Sequence, residues 1–196
     1  MNNFVYEVGD NLYVNLTNQC SNSCFFCIRN SHDGMNGKNL WLDKEPTAKE
    51  VIESLPKNLD KYNEVVFCGF GEPTYKIDIM REVGKYVKSL GKKTRINTNG
   101  QANLIFGHDV TEKLVGAIDT VNVSLNASNA SEYQRICSSV FGEKAFEAML
   151  DFAEKCRDRG IDVIMSVVDI IGDKEVEACK KLCESRNLKL RVRKFE

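Results

Sequence analysis

Apolar, β-branched runs alternate with helix-forming stretches along the 196 residues, and this alternation predicts an α/β fold with parallel strands. Six such repeats can be counted, fewer than the eight of a closed barrel, so the expected architecture is a partial, open TIM-like barrel of six βα repeats. A third observation agrees with the first two. Segments bearing cysteine, glycine and short polar residues fall at the C-terminal ends of the strands, the rim where function gathers in barrels of this kind. With 42% hydrophobic residues, the chain is expected to form one compact domain over 1–196.

The elements follow in order. A hairpin over 4–8 and 12–16 turns at Gly9-Asp10, and its second arm feeds a cysteine-bearing loop. Residues 29–44, with Asn30, Ser31, Gly34, Asn36, Gly37 and Asn39, form a long polar loop. Connections of that length are usually functional or disordered, so this one is expected to be either a lid or substrate loop, or simply disordered. A helix over 47–54 follows Pro46 with Thr47 as its cap and ends before Pro56. Next come a strand over 64–68, a helix over 78–90 stopped by Gly91, and a strand over 93–97. A helix over 109–117 leads to a strand over 120–125. Phe146, Met149, Leu150, Ala153 and Cys156 recur at helical spacing in a helix over 143–159, which stops at Gly160. A strand over 161–168, a helix over 174–185 and a strand over 188–192 complete the rhythm.

Composition excludes some functions. A formal net charge of −1 gives no global basic field, so nucleic acid is not indicated as a partner. The start Met1-Asn2-Asn3-Phe4 lacks a basic segment followed by an apolar run, and no stretch approaches the roughly 18 apolar residues of a membrane span. A cytoplasmic protein with no membrane partner is expected. In that compartment the eight cysteines are more naturally metal ligands or buried thiols than disulfides.

Three of them stand in one loop. Thr17-Asn18-Gln19-Cys20-Ser21-Asn22-Ser23-Cys24-Phe25-Phe26-Cys27 spaces Cys20, Cys24 and Cys27 as CxxxCxxC directly after the strand-like run 12–16. A cubane iron-sulfur cluster is normally held by four thiolates, so three leave one iron open to a group that is not protein. Zinc would want a fourth Cys or His at matching spacing, and the nearest, His32, stands alone in the polar loop. A zinc site and three unrelated core thiols are the plain alternatives.

This loop resembles that of the radical S-adenosyl-L-methionine (SAM) superfamily, whose members hold a 4Fe-4S cluster by CxxxCxxC at the end of the first barrel strand. A second segment agrees: Glu64-Val65-Val66-Phe67-Cys68-Gly69-Phe70-Gly71-Glu72-Pro73-Thr74 reads as a buried strand entering a turn that resembles the family's GGEP turn, with Phe70 set between the glycines. The methionine end of SAM carries an ammonium, which needs carbonyls and a carboxylate nearby, and glycine admits close backbone. Gly69, Gly71 and Glu72 are the candidate contacts, against the plain alternative of an ordinary strand-to-helix connection. The resemblance also implies that the ends of the later strands meet the ribose hydroxyls and carboxylate of SAM. That points to Asn97 and Asn99 in Thr94-Arg95-Ile96-Asn97-Thr98-Asn99-Gly100, and to Ser124 and Asn126 in Val121-Asn122-Val123-Ser124-Leu125-Asn126. Ordinary turn chemistry is the competing account, since Asn99-Gly100 is a good turn pair anywhere.

The resemblance extends along the chain. The run 11–18, Cys27-Ile28-Arg29-Asn30, Tyr133-Gln134-Arg135-Ile136-Cys137 and Arg191-Val192-Arg193-Lys194 look like the small TatD-associated radical SAM proteins. It implies an enzyme that reductively cleaves SAM at its cluster to a 5'-deoxyadenosyl radical, which abstracts hydrogen from an unknown substrate. An external one-electron reductant of flavodoxin or ferredoxin type is implied as partner. A glycyl-radical-enzyme activase, a 7-carboxy-7-deazaguanine synthase-like enzyme and a non-catalytic iron-sulfur or zinc module stay open. Cys68, Cys137, Cys156, Cys179 and Cys183 are read as buried thiols, with an auxiliary cluster as the alternative because Cys179 and Cys183, four apart on one helical face, also suit a metal. Arg191 and Arg193 are read as one strand face for an anion or an exposed edge, and His108 as a solvated loop residue. Trp41 and Phe25-Phe26 read as core, although an aromatic between the second and third cysteines also resembles the family residue that packs near adenine. Because the sequence stops three residues after Arg193, the site is expected to be closed by the 29–44 loop with a second subunit, as in a homodimer, or with a large substrate.

Overall fold

The computed structural model describes residues 2–30, 34–35 and 37–194. The chain divides into two compact units, one built from 1–20, 26–97 and 113–119, the other from 21–25, 98–112 and 120–196.

The first unit opens with a hairpin of β1 (Val5–Val8) and β2 (Asn11–Val14), which sets Tyr6 opposite Tyr13. Two short antiparallel strands follow, β3 (Gly34–Met35) and β4 (Lys38–Asn39). Helix α1 (Ala48–Ser54) begins at a full capping box: Thr47 accepts from the Glu50 N–H while the Glu50 carboxylate accepts from the Thr47 N–H. Thr47→Ala removes half of that exchange and is expected to lower stability by about 1 kcal/mol, read as a shift in the urea midpoint. Strand β5 (Glu64–Phe67), helix α2 (Ile77–Ser89) and strand β6 (Lys93–Thr98) complete the unit, with β2, β5 and β6 parallel in that order. Val65, Val66 and Phe67 are all buried, the unbroken apolar pattern of a parallel strand covered on both faces. Ile77, Met80, Val83, Gly84 and Val87 form the inner face of α2. A Cβ on Gly84 would stand 2.6 Å from the Ala117 carbonyl oxygen, so glycine lets the helix settle against residues 113–119.

Asp119 ties these pieces. Its carboxylate accepts from the Thr94 N–H at 2.9 Å and pairs with Lys88 of α2. Partial burial raises its pKa, but the Lys88 ammonium and the Thr94 donors outweigh burial and hold it below the usual carboxylate value. A depressed folded pKa stabilises the fold above the unfolded value, about 4, and that contribution is lost as pH falls through the folded value. Asp119→Asn is therefore expected to lower the urea midpoint at neutral pH, with the gap to the parent closing as pH drops below about 4.

The second unit carries α3 (Ala102–Phe106), β7 (Thr120–Ser124), α4 (Ala130–Cys137), α5 (Lys144–Asp158), β8 (Asp162–Val168), α6 (Asp173–Ser185) and β9 (Lys189–Arg193). Strands β7, β8 and β9 run parallel, with Ser124 opposite Ser166 and Val168 opposite Arg193. Phe146, Met149, Leu150, Ala153 and Cys156 of α5 are buried, as their spacing predicts. β1 and β9 each have a neighbour on one side only, so the α/β sheet is open.

Two expectations are corrected. The helix expected over 109–117 is a 3-10 turn, Thr111–Leu114, and the helix of this region lies earlier, in α3. Gly107 and Gly116 take positive φ of 72° and 73°, and the Asp109 side chain accepts from the Thr111 N–H and hydroxyl, which commits the segment to turns. Helix α4 was not expected at all. Asn129 caps it, and Ser138 in a left-handed conformation ends it. In the long polar loop, Leu40 and Leu42 are buried and β3 and β4 form a hairpin, so the described part is ordered structure and not a disordered connection. Ser31, His32 and Asn36 lie outside the described residues. Among those described, no helix is long and apolar enough to cross a membrane.

Candidate active site

In the first unit the chain leaves β2 through a clamped segment. Asn15 donates its side-chain amide to the Leu40 carbonyl at 2.7 Å. Asn18 both donates to the Leu42 carbonyl at 2.8 Å and accepts from the Leu42 N–H at 3.0 Å. The Thr17 hydroxyl bonds the Glu45 carboxylate, which also pairs with Lys76. Burial raises the Glu45 pKa, yet Lys76 and Thr17 prevail and hold it low, so the carboxylate stays ionised. Residues 40–45 are thereby fastened to the 15–18 segment.

The Gly-Glu-Pro turn packs on the same segment. The Glu72 N–H donates to the Gln19 carbonyl at 2.7 Å, one residue before Cys20. A Cβ on Gly71 would lie 2.4 Å from the Thr17 carbonyl oxygen and 2.5 Å from that of Gln19. One on Gly69 would lie 2.0 Å from the Asn15 side-chain oxygen. Both glycines are thus required for close approach to residues 15–19 and not for an unusual φ. Phe70 between them is buried with Tyr6 and Leu40, edge-on to Trp41 at 5.1 Å, so core packing accounts for its place in the turn. Glu72 is buried, and its Oε1 accepts from the Thr74 N–H at 3.0 Å and hydroxyl at 2.7 Å, capping the 3-10 turn Pro73–Lys76. Asn97, on β6, accepts from Arg95, whose guanidinium also holds Glu64.

In the second unit the 21–25 arm of the cysteine loop lies along α4. The Ser23 N–H donates to the Cys137 carbonyl at 2.9 Å and the Phe25 N–H to that of Ile136 at 3.3 Å. The Cys24 thiol between them faces the Cys137 thiol; that hydrogen bond, with burial, pushes its pKa far above the usual thiol value. Asn99 donates to the Ser21 hydroxyl at 2.8 Å and accepts from the Gln101 N–H, so this predicted contact holds the loop. Ser124 ends β7, half-buried. Asn126 is buried at a positive φ of 58°, donates to the Cys137 sulfur at 3.6 Å, and keeps its Oδ1 buried with no partner among the described residues. Asparagine tolerates the left-handed region, so the unusual feature here is the buried, unused acceptor.

Cys20, Cys24 and Cys27 are half-buried, as is Cys68, whereas Cys137, Cys156, Cys179 and Cys183 are buried. Burial pushes Cys156 and Cys179 up to about 12 and Cys183 to about 11, which leaves these thiols unreactive. Among the described residues no three Cys, His, Asp or Glu side chains stand grouped to hold a metal ion; the loop thiols, with Cys24 turned to Cys137, are included in that statement. Sequence reading missed Asn15, Gln101 and Tyr133, polar residues whose partners lie far along the chain.

Comparison with known proteins adds an independent line. The family model described as the radical SAM superfamily matches residues 14–183. A probable GTP 3',8-cyclase from Saccharolobus solfataricus is 30% identical over 183 residues, covering 91% of this chain and 54% of the relative. One from Methanocaldococcus jannaschii is 27% identical, covering 84% of this chain and 60% of the relative. The chain therefore spans about half the length of the curated relatives it matches. Among solved structures, SuiB of Streptococcus suis bound to its precursor peptide SuiA superposes with a TM-score of 0.72 at 18% identity, over 98% of this chain and 40% of that one. A radical SAM methyltransferase from Sphaerobacter thermophilus does so with a TM-score of 0.65 at 14% identity, over 97% and 68%.

Proposed function

Because the chain belongs to the radical SAM superfamily, whose enzymes use a 4Fe-4S cluster and SAM, we propose that Cys20, Cys24 and Cys27 hold that cluster and that the polar strand ends receive SAM. In number and type the donors fit: three half-buried thiols on one loop, one fewer than a cubane needs, would leave an iron open to SAM once Cys24 turns from Cys137. The unpartnered Asn126 oxygen fits a ligand donor. When bound, the reduced cluster and SAM supply a 5'-deoxyadenosyl radical that takes a hydrogen atom from the substrate, with an external one-electron donor as partner.

The observation that carries the reading is the packing of Gly71 and Glu72 on Thr17 and Gln19. It fixes the turn against Gln19, the residue preceding Cys20. Gly69, Gly71, Glu72, Asn97, Asn99, Ser124 and Asn126 are the residues proposed to serve SAM. With Oε1 of Glu72 engaged by Thr74 and Asn99 engaged by Ser21 and Gln101, these two act chiefly by holding backbone in place.

The test is anaerobic reconstitution followed by dithionite and SAM. The expected result is about four irons per chain and SAM-dependent release of 5'-deoxyadenosine. Full zinc occupancy, or a loaded cluster that never cleaves SAM, overturns the reading. GTP, named for the relatives, is the first substrate to offer.

A further inference from the structure

Six buried polar side chains of the second unit satisfy one another around the cysteine arm, and nothing in the radical chemistry itself calls for them. The Gln101 side-chain amide donates to the Asn22 side-chain oxygen at 2.8 Å and to the Tyr133 hydroxyl at 2.9 Å. The Asn22 amide closes the triangle by donating to the same hydroxyl at 3.1 Å. The remaining Gln101 acceptor takes the Ser139 hydroxyl at 2.9 Å, and the Gln101 N–H reaches Ser21 through Asn99. Gln101 and Tyr133 are 0% exposed and Asn22 5%, so these bonds are made away from water, where losing a partner costs more than at the surface.

The triangle bears on Cys24 in particular. Tyr133 and Cys137 lie one turn apart on α4. Tyr133 holds Asn22 by its hydroxyl while the Cys137 carbonyl holds the Ser23 N–H, so the two residues before Cys24 are fixed from one helix. We propose that Tyr133 and Gln101 are positioning residues for the cluster, holding the 21–25 arm against α4 so that, when iron is loaded, only the Cys24 side chain, turned to Cys137 in this structure, has to move. The proposal rests on Cys24 being a cluster ligand.

The test compares the parent with Tyr133→Phe, Gln101→Leu and a packing control, Phe146→Leu. Phe146 packs on the Tyr133 ring, centroids 5.9 Å apart, but makes no bond to its hydroxyl. Tyr133→Phe and Gln101→Leu are expected to lose cluster to a ferrous chelator roughly tenfold faster than the parent, the usual effect of removing a group that orients a metal ligand. They are also expected to shift the cluster's midpoint potential and, in cluster-free protein, to raise the alkylation rate of Cys24 measured by peptide mass spectrometry. Phe146→Leu should lower thermal stability while leaving chelator and alkylation rates at the parent's values. Parent-like chelator and alkylation rates in both polar variants, or equal acceleration in Phe146→Leu, overturn the proposal. Should Gln101→Leu not fold, Tyr133→Phe decides, because it keeps the ring. If Cys24→Ala loads as much cluster as the parent, the ligand assignment fails instead, and the alkylation rates of cluster-free protein still decide whether the arm is held.

Discussion

Cys20→Ala, Cys24→Ala and Cys27→Ala should each abolish cluster absorbance after anaerobic reconstitution and leave no SAM cleavage above background. On the proposed assignment each removes one of three thiolates, and no spare thiol follows the loop's spacing. The same change at Cys68, Cys137, Cys156, Cys179 or Cys183 should leave loading at the parent level. Cys156, Cys179 and Cys183 are sealed in helix faces where burial raises the thiol pKa, so they should neither bind iron nor compete for it. Cys137 is the discriminating member of the control set, because its thiol faces Cys24. Loss of the cluster in Cys137→Ala would mean that it serves as a ligand, and retention in Cys27→Ala would break the loop assignment.

The contiguous features of this protein were legible in its sequence. Val65-Val66-Phe67 and Val121 and Val123 announce buried parallel strands because a strand covered on both faces needs an apolar run. The cysteine loop and the Gly-Glu-Pro turn are short motifs whose chemistry is set by spacing. Helix α4 was not legible: its buried Tyr133, Ile136 and Cys137 make a single apolar turn inside a polar run, and its Asn129 cap with Glu132 was the signal that could have found it. The helix expected over 109–117 failed for the opposite reason. Val110, Leu114 and Ala117 have near-helical spacing, yet positive-φ glycines and the Asp109 turn decide the backbone. Gln101 and Asn22 are 79 residues apart and Gln101 and Tyr133 are 32 apart, so their joint role exists only once the chain has folded. The expected contact role of Gly69 and Gly71 was legible only in part. The need for a missing Cβ was readable, but the partner it meets, the backbone and Asn15 side chain of residues 15–19, was not.

That partner sets the second large effect. Gly71→Val should impair cluster loading as well as SAM binding. Its Cβ would fall 2.4 Å from one main-chain carbonyl oxygen and 2.5 Å from another, and main chain clamped by Asn15, Asn18 and Glu45 has little room to yield. The strain passes along Gln19 to Cys20, so iron content after reconstitution should fall together with equilibrium binding of SAM. Gly69→Ala is expected to be milder, since the atom 2.0 Å away belongs to the Asn15 side chain, which can rotate at the loss of its bond to Leu40. Combining Gly69→Ala with Asn15→Ala removes the obstructing amide and should recover part of the iron content, whereas no side-chain truncation can relieve Gly71→Val. Iron analysis and SAM titration of the three variants give the answer. A Gly71→Val protein that loads iron and binds SAM like the parent would show that the turn is an ordinary connection, with no part in holding the first cysteine.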